Sequence, residues 1–493
     1  MDNKHHGADQ ELKSKKWAEL KTLVGQQVQI SKAGGNYPLD RIMMKSKAVR
    51  FDSIVCQSTI KTKEDVDTLR SKGYNVELTM DEFQKSFTVD PNMIWYTHFL
   101  SLGCFYFNPD TLAACPFPIE FYIHKIGAMN IESAYEAFKA REKEVAEGWY
   151  IGSATTLPDV MRLEYLRLLI EKNGPNIQSL YHLFLNIYSN SDYGFSDIDN
   201  TTLQTILQCK TEEEKAVTTE QLSQLPELVT IYRGGNSEST PYDKAYSWTT
   251  DINVANFFAI RMGDGPGYIA KGTVKKKDII ECLFNKGDEK EILVDPSSVS
   301  IDEVIPVRGL DLLERLLPTV SPLYHEYRNQ LYNLDFNHPS SIHGWDHEAR
   351  VLLLCLIISE LLNLPASDKK ILATAAIYHD TRRTHDWVEP GHSAASSAYY
   401  HEHVKNPDPI VEFLCEYHCR PDEEGYEEIK RNRKLSTNRS RVTRLFQIFK
   451  DADGLERIRL GNLRVEMDLN QYRLPVTREL TLIAKLCYEH IEV

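Results

Sequence analysis

Long apolar runs are missing from this chain. The longest candidate, Val351 to Ile358, falls well short of the roughly 18 residues a membrane-spanning helix needs, and it reads as a buried helix. The opening stretch MDNKHHGADQELKSKKWAEL has no apolar signal core. Cysteine is sparse, 9 in 493 residues, and follows no framework spacing. Reduced core thiols are therefore expected, with Cys56 a buried structural one. These absences together predict a cytoplasmic protein, whether in its own cell or in the cytosol of a target or host cell. Excess positive charge is missing as well. A net charge of −14 argues against general binding of nucleic acid or anionic membrane. There is no internal repeat and no low-complexity tract. What remains is a globular composition, 42% hydrophobic and 26% charged. Its length suits two to four domains of about 100–200 residues.

Texture changes twice along the chain. Residues 1–155 mix β-like and helical runs: Arg50 to Ser58 and Asn75 to Thr79 as strands, Lys63 to Gly73 as a helix. They form an α/β region with no evident chemistry. Residues 156–310 begin with helical stretches, Pro158 to Asn173 and Ile177 to Ser189, and then turn β-rich. Leu228 to Arg233, Ala245 to Thr249, Gly267 to Val274, Ile279 to Phe284 and Glu291 to Val294 read as strands. A helix capped by Asp251 interrupts them, with Val254, Phe257, Phe258 and Arg261 at helical spacing. Pro306 and Pro318 mark a linker, and residues 320–493 read as all-helical.

Eight of the 16 histidines fall between His343 and His418. His347 opens the apolar helix HEARVLLLCLIISELL. His379 and Asp380 end the next helix, which Ser367 caps and Ile371, Ala375 and Tyr378 line. His392 follows a short loop, His418 ends PDPIVEFLCEYH, and Asp451 and Asp453 end RVTRLFQIFKDAD. Neutral imidazole and carboxylate together suit a hard or borderline divalent ion. An aspartate beside a histidine can bridge two such ions, which would clamp a phosphate and activate water. Helix ends in one bundle can converge these groups.

The order His, His-Asp, His, His, Asp resembles the HD superfamily of metal-dependent phosphohydrolases and phosphodiesterases. So does the wording HGWDHEARV, AAIYHDTRR and KDADGLERIRLG. The resemblance spans about 150 residues. It implies His347, His379, Asp380 and Asp451 as core ligands, and His392 and His418 as the extra ligands of two-metal members. The ion would be Mn, Fe, Ni, Co, Zn or Mg. His343, Arg382 and Arg383 would meet the substrate phosphate. His385, His401 and His403 read as surface residues, and Asp453 as a solvated helix terminus or cap.

Three further motifs sit on the predicted strands: Arg233 in LVTIYRGG, Ser247 and Thr249 in SWTT, and Glu289 and Glu291 in GDEKEILVDP. Strand alternation would point both glutamates into one space. A bland alternative is a surface arginine and an acidic strand start. The trio is similar to the Arg–Ser–Glu class of ADP-ribosyltransferases, and the aromatic helix ANFFAIR looks like that family too. The resemblance implies NAD as substrate, held by Arg233, Gly234, Ser247 and Phe258. Glu291 would stabilise the cationic ribose, Ser247 would position Glu291, with Thr249 supplying a second hydroxyl, and Glu289 would orient or deprotonate the acceptor.

The expected architecture is thus multidomain α+β: an α/β region at 1–155, an ADP-ribosyltransferase-like mixed α+β domain at 156–310, and an all-α HD domain at 320–493. The expected activities are NAD-dependent transfer, with a protein among the acceptor classes, and hydrolysis of a nucleotide or phosphoribosyl compound. In the rival reading only the metal site is catalytic and the first two thirds bind a nucleotide or partner protein. Such a pairing would fit a bacterial effector, toxin or defence protein.

Overall fold

The computed structural model describes residues 94–96, 104–108, 110–116 and 131–490, apart from 158, 175, 176, 178, 192–197, 238, 285, 286, 340 and 390. The strands and helix expected between Arg50 and Thr79, and Cys56, lie outside the described residues. The chain divides into two compact units. Among the described residues, one comprises those up to 225 and the other those from 226 onward.

In the first unit, β1 (Ile94–Tyr96), β2 (Cys104–Phe107) and β3 (Ala114–Pro116) form an antiparallel sheet. Helices α1 (Ile131–Ala146), α2 (Ile151–Thr156), α3 (Asp159–Asn173), α4 (Leu180–Ser189), α5 (Asn200–Gln208) and α6 (Glu212–Ser223) follow. The two helical stretches expected alongside the transferase-like strands are α3 and α4. They belong to this unit and not to the one that holds those strands.

In the other unit, six strands pair antiparallel in the order β7-β8-β5-β4-β6-β9. They are β4 (Leu228–Asn236), β5 (Ser247–Thr249), β6 (Gly267–Lys275), β7 (Ile279–Cys282), β8 (Glu291–Val294) and β9 (Ser300–Val307). The predicted strands are all present, and β9 is additional. Its sequence SIDEVIPV is exposed along most of its length and carries Pro306, both tolerable at a sheet edge. Pro306 therefore ends a strand and marks no linker. Helix α7 (Ile252–Ile260) starts at Asp251, whose side chain accepts from Asn253 N at 3.0 Å.

Pro318 is not in a linker either. It lies with Pro322 inside α8 (Leu310–Leu331). Each proline forgoes a helical hydrogen bond at a cost of about 3 kcal/mol. Leu313, Leu317, Val320, Tyr324, Tyr327 and Leu331 recur at helical spacing and are buried. At about 1.5–3 kcal/mol per side chain, that stripe outweighs the two defects. The remaining helices are α9 (Trp345–Leu361), α10 (Ala366–Tyr378), α11 (His392–His403), α12 (Pro409–Tyr417), α13 (Asp422–Arg431), α14 (Arg433–Ser436), α15 (Arg439–Glu456), α16 (Leu463–Glu466), α17 (Pro475–Arg478) and α18 (Thr481–His490). Helix α9 is apolar nearly all round and buried, as a central helix must be. Ser367 does not cap α10. The cap position is Pro365, and no side chain bonds there.

The sheet and the C-terminal helices share one apolar core. Ile252, Ala255, Ala259 and Ile260 of α7 belong to the same buried cluster as α8, α9, α15 and α18. Thr481 Oγ1 donates to the buried Asn256 Oδ1 at 2.7 Å, and Arg308 N donates to Glu479 O at 2.7 Å. The expected boundary near 310–320 thus falls inside a continuous unit. Gly234 lets β4 approach α7: a Cβ there would lie 1.6 Å from Ala255 O. Gly234→Ala should lower unfolding free energy by about 1–3 kcal/mol, because the backbones must move apart. Urea unfolding will measure this, and an unchanged midpoint would show that the helix is free to shift.

Candidate metal centre

Five helix ends converge on one point. His347 is in the first turn of α9, His379 follows α10 with Asp380 next, His392 starts α11, His418 follows α12, and Asp453 lies in the last turns of α15. The four rings share one arrangement. His379 Nδ1 faces Ala376 O at 3.0 Å, His418 Nδ1 faces Cys415 O at 2.7 Å, and His392 Nδ1 contacts Glu389 O. His347 Nδ1 meets Glu456 Oε2 at 2.6 Å. A carbonyl only accepts, so each Nδ1 facing one carries the hydrogen, and in the neutral ring Nε2 keeps its lone pair.

All four Nε2 atoms point inward. His347 and His379 Nε2 are 3.2 Å apart, and so are His392 and His418 Nε2. Two lone pairs at that distance need a proton or a cation between them. Asp380 lies between the pairs. Its Oδ1 is 3.1 Å from His392 Nε2 and 3.3 Å from His418 Nε2, and its Oδ2 is 3.8 Å from His347 Nε2. Asp380 Oδ1 is buried with no hydrogen bond of good geometry. A bridging position between two cations would satisfy it. Asp453 Oδ1 approaches His347 Nε2 at 3.4 Å. The residues therefore fit a divalent ion at His347, His379 and Asp380, with Asp453 beside His347, and a second donor group at His392 and His418. Two sets of donors among the described residues, His347–His379–Asp380 and His392–His418–Cys419, are close enough to hold an ion.

Electrostatics agree. Burial opposes charge on His379, but the carboxylates of Glu348 and Asp380 overcome it and push the ring up to about 10. Burial also opposes charge on His392, and the neighbouring Asp380 carboxylate and Cys419 push it up to about 10. Burial alone would raise Asp380, yet the surrounding histidines hold it well below the usual carboxylate range. The cluster is built to hold positive charge. His347 is the exception: burial and the Arg459 guanidinium push it well below its ordinary value, so it stays neutral and able to ligate.

The supporting acids were not singled out in the sequence. Glu456 anchors His347 and is held in turn by Arg350 Nε and Arg459 Nη1, both at 2.6 Å. Glu348 accepts from Asp380 N at 2.9 Å and lies 3.3 Å from His379 Nδ1. Such partners fix ligand orientation and raise basicity. Their signal was local: Glu348 adjoins His347, and Glu456 follows Asp453 by three on one helix. Cys419 was missed beside His418 although both can donate to one ion.

Two expected site residues are elsewhere. Asp451 does not face the histidines. It accepts from Arg473 N at 3.0 Å, Leu474 N at 2.9 Å and Thr477 Oγ1 at 2.8 Å, tying α15 to α17 and the chain before it. Two residues along a helix turn a side chain through about 200°, so Asp451 and Asp453 face opposite ways and only Asp453 meets the histidines. Arg382 turns to Asp335, Asn337 and the Tyr399 ring. Arg383 and His343 do line the cavity of about 570 Å³ that opens over the centre. Arg383 Nη1 is 3.4 Å from His392 Nε2. Burial and Arg459 push His343 down, which leaves it neutral. His401 is exposed, as expected, and pairs with Glu412.

The strand-borne residues also meet. Arg233 on β4, Ser247 on β5 and Glu291 on β8 occupy three neighbouring strands, and Ser247 Oγ donates to Glu291 Oε1. Arg233 Nη1 donates to Ser247 O at 2.7 Å and Nη2 to Thr240 O at 3.1 Å. Thr249 Oγ1 donates to Glu289 O at 2.6 Å. The alternation expected for the glutamates does not hold, because Glu289 precedes β8 and Lys290 has φ +46°. The Glu289 carboxylate instead pairs with Arg464, whose guanidinium also covers the Phe257 ring. Phe258 packs edge-on against Phe257, under Arg261.

No family model matches the chain, and no curated protein or solved structure matches it. No helix among the described residues is long and apolar enough to cross a membrane.

Proposed function

We propose that the histidine–aspartate cavity is the active centre of a metal-dependent phosphohydrolase or phosphodiesterase of the HD type, acting on a nucleotide or phosphoribosyl compound. The carrying observation is the Asp380 carboxylate, set between two pairs of inward-facing Nε2 atoms. His347, His379, Asp380 and Asp453 would hold one ion, and His392, His418 and Asp380 the other. Bound divalent ions supply Lewis acidity toward a phosphoryl oxygen and lower the pKa of water. The chain's own groups do the rest. Arg383 presents a guanidinium at the cavity wall, suited to a phosphate oxygen. Neutral His343, held by Asp386 at 3.2 Å, can accept or return a proton beside the centre. A cavity of about 570 Å³ suits a nucleotide-sized ligand. The test is a screen of nucleotides and phosphodiesters against Mn, Fe, Co, Ni, Zn and Mg, with chelator controls. Hydrolysis with no metal requirement would sink the reading.

The Ser247–Glu291 hydrogen bond favours a second activity on the sheet, ADP-ribosyl transfer from NAD of the Arg–Ser–Glu type. Glu291 would face the cationic ribose carbon, and Ser247 would fix its carboxylate. Arg233 would steady the pyrophosphate while bracing β5. Glu289 would orient an acceptor, in competition with Arg464. Glu291→Gln should cut NAD consumption by about 100-fold or more while leaving metal-dependent hydrolysis intact. Chromatography of nicotinamide release decides this. Equal release by variant and parent would leave the sheet as a binding module only.

A further inference from the structure

One donor at the cavity wall is unused by either activity. Cys419 directly follows His418, at the end of α12. Its Sγ and the ligating atoms of His392 and His418 all lie within 4.8 Å of one another. Both rings are fixed from behind, by Glu389 O and Cys415 O. Asp380 Oδ1, buried and without a hydrogen bond, points at the same two Nε2 atoms. Two imidazoles and one sulfur make a three-donor set, and Asp380 Oδ1 lies within 3.3 Å of both imidazoles. The neighbouring set, His347, His379, Asp380 Oδ2 and Asp453, has no sulfur.

That difference matters chemically. Thiolate is a soft donor that favours zinc and other thiophilic ions, whereas imidazole with two carboxylates also admits harder ions such as manganese or iron. We propose that Cys419 is a ligand of the second metal position, formed with His392, His418 and Asp380, and that it makes this position selective for a thiophilic ion such as Zn²⁺. The centre is then a mixed one, with a harder ion between His347, His379 and Asp453. On loading, the S–H bond breaks as the sulfur–metal bond forms, and the proton leaves to solvent. This rests on the two-ion reading of the cavity and sharpens it.

The experiment uses the full chain, stripped with chelator and reloaded with Co²⁺. Thiolate bound to Co²⁺ gives a near-ultraviolet charge-transfer band. The expected result is two ions per chain with that band in the parent, and loss of the band in Cys419→Ser. When Zn²⁺ is titrated against excess Mn²⁺, the parent should take up its first Zn²⁺ well before its second. Cys419→Ser should lose about tenfold or more of its zinc preference. Cys419→Asp, which keeps a ligand, should still bind two ions without the band. If the parent binds two ions with no band, or Cys419→Ser keeps both band and preference, the sulfur is no ligand although the two-ion cavity stands. Uptake of fewer than two ions by the parent overturns the mixed centre and the two-ion cavity together. Absence of metal-dependent hydrolysis would separately overturn the enzyme reading.

Discussion

Asp380→Asn should remove metal-dependent hydrolysis by at least about 10³-fold and drop bound metal from two ions to fewer than one. Asn is nearly isosteric with Asp, so the change is one of charge and bridging capacity. Among the described residues Asp380 is the carboxylate that contacts both ring pairs, 3.1 Å from His392 Nε2 and 3.8 Å from His347 Nε2. Neutralising it weakens both positions at once. A bridging ligand is worth several kcal/mol to the ions and the charge they stabilise, and about 1.4 kcal/mol corresponds to each tenfold in rate. Asp380 also favours the charged ring of His392 and, together with Glu348, that of His379. The variant should therefore lose positive charge from the cluster without unfolding. Elemental analysis beside a hydrolysis assay, with circular dichroism to confirm the fold, measures all three. A variant that keeps both ions and its rate would refute the bridging role.

The second large effect separates two aspartates in one sequence motif, KDADG. Asp453→Ala should abolish hydrolysis by about 100-fold or more yet shift stability by no more than about 1 kcal/mol, because its side chain is partly exposed and its partner is the cluster itself. Asp451→Ala should do the reverse. It deletes a fully buried carboxylate that accepts from two backbone amides, the Thr477 hydroxyl and Arg473. Leaving those donors unmet costs about 3–5 kcal/mol. Whatever fraction of the variant remains folded should still bind metal. Paired measurements of urea midpoint and metal content decide it. If Asp451→Ala lost metal at full stability, the assignment of roles would be inverted.

That pair shows where reading residues in order reaches its limit. The histidines were legible because each ends or begins a helix whose apolar pattern is plain. Convergence of such ends is what a bundle does. The choice between Asp451 and Asp453 was not legible, since it turns on which side of α15 meets the histidines. Only the packing of α15 against α9 and against the chain before α17 decides that. Arg382 and Arg383 pose the same problem, and the structure sends one to Tyr399 and the other to the cavity. Strands with alternating or continuous apolar patterns were legible too. The edge strand β9 was not, because exposure on both faces erases the alternation and Pro306 suggests a break. Pro318 misled for the opposite reason: a long buried stripe tolerated it. The partners of Glu289 were out of reach, since Arg464 comes from 175 residues further along the chain.

Because α7 and the C-terminal helices share one core, the sheet and the candidate metal centre are expected to melt as one cooperative body. A cut near residue 308 would not release two working halves. It would bare Ile252, Ala255 and Ala259 on one fragment and their cover on the other. An ion that binds only the folded form stabilises everything that unfolds with it, by RT ln(1 + [ion]/Kd). An ion held at the proposed centre would therefore stabilise the Arg233–Ser247–Glu291 arrangement as well as the histidine cavity, although no ligand is common to both.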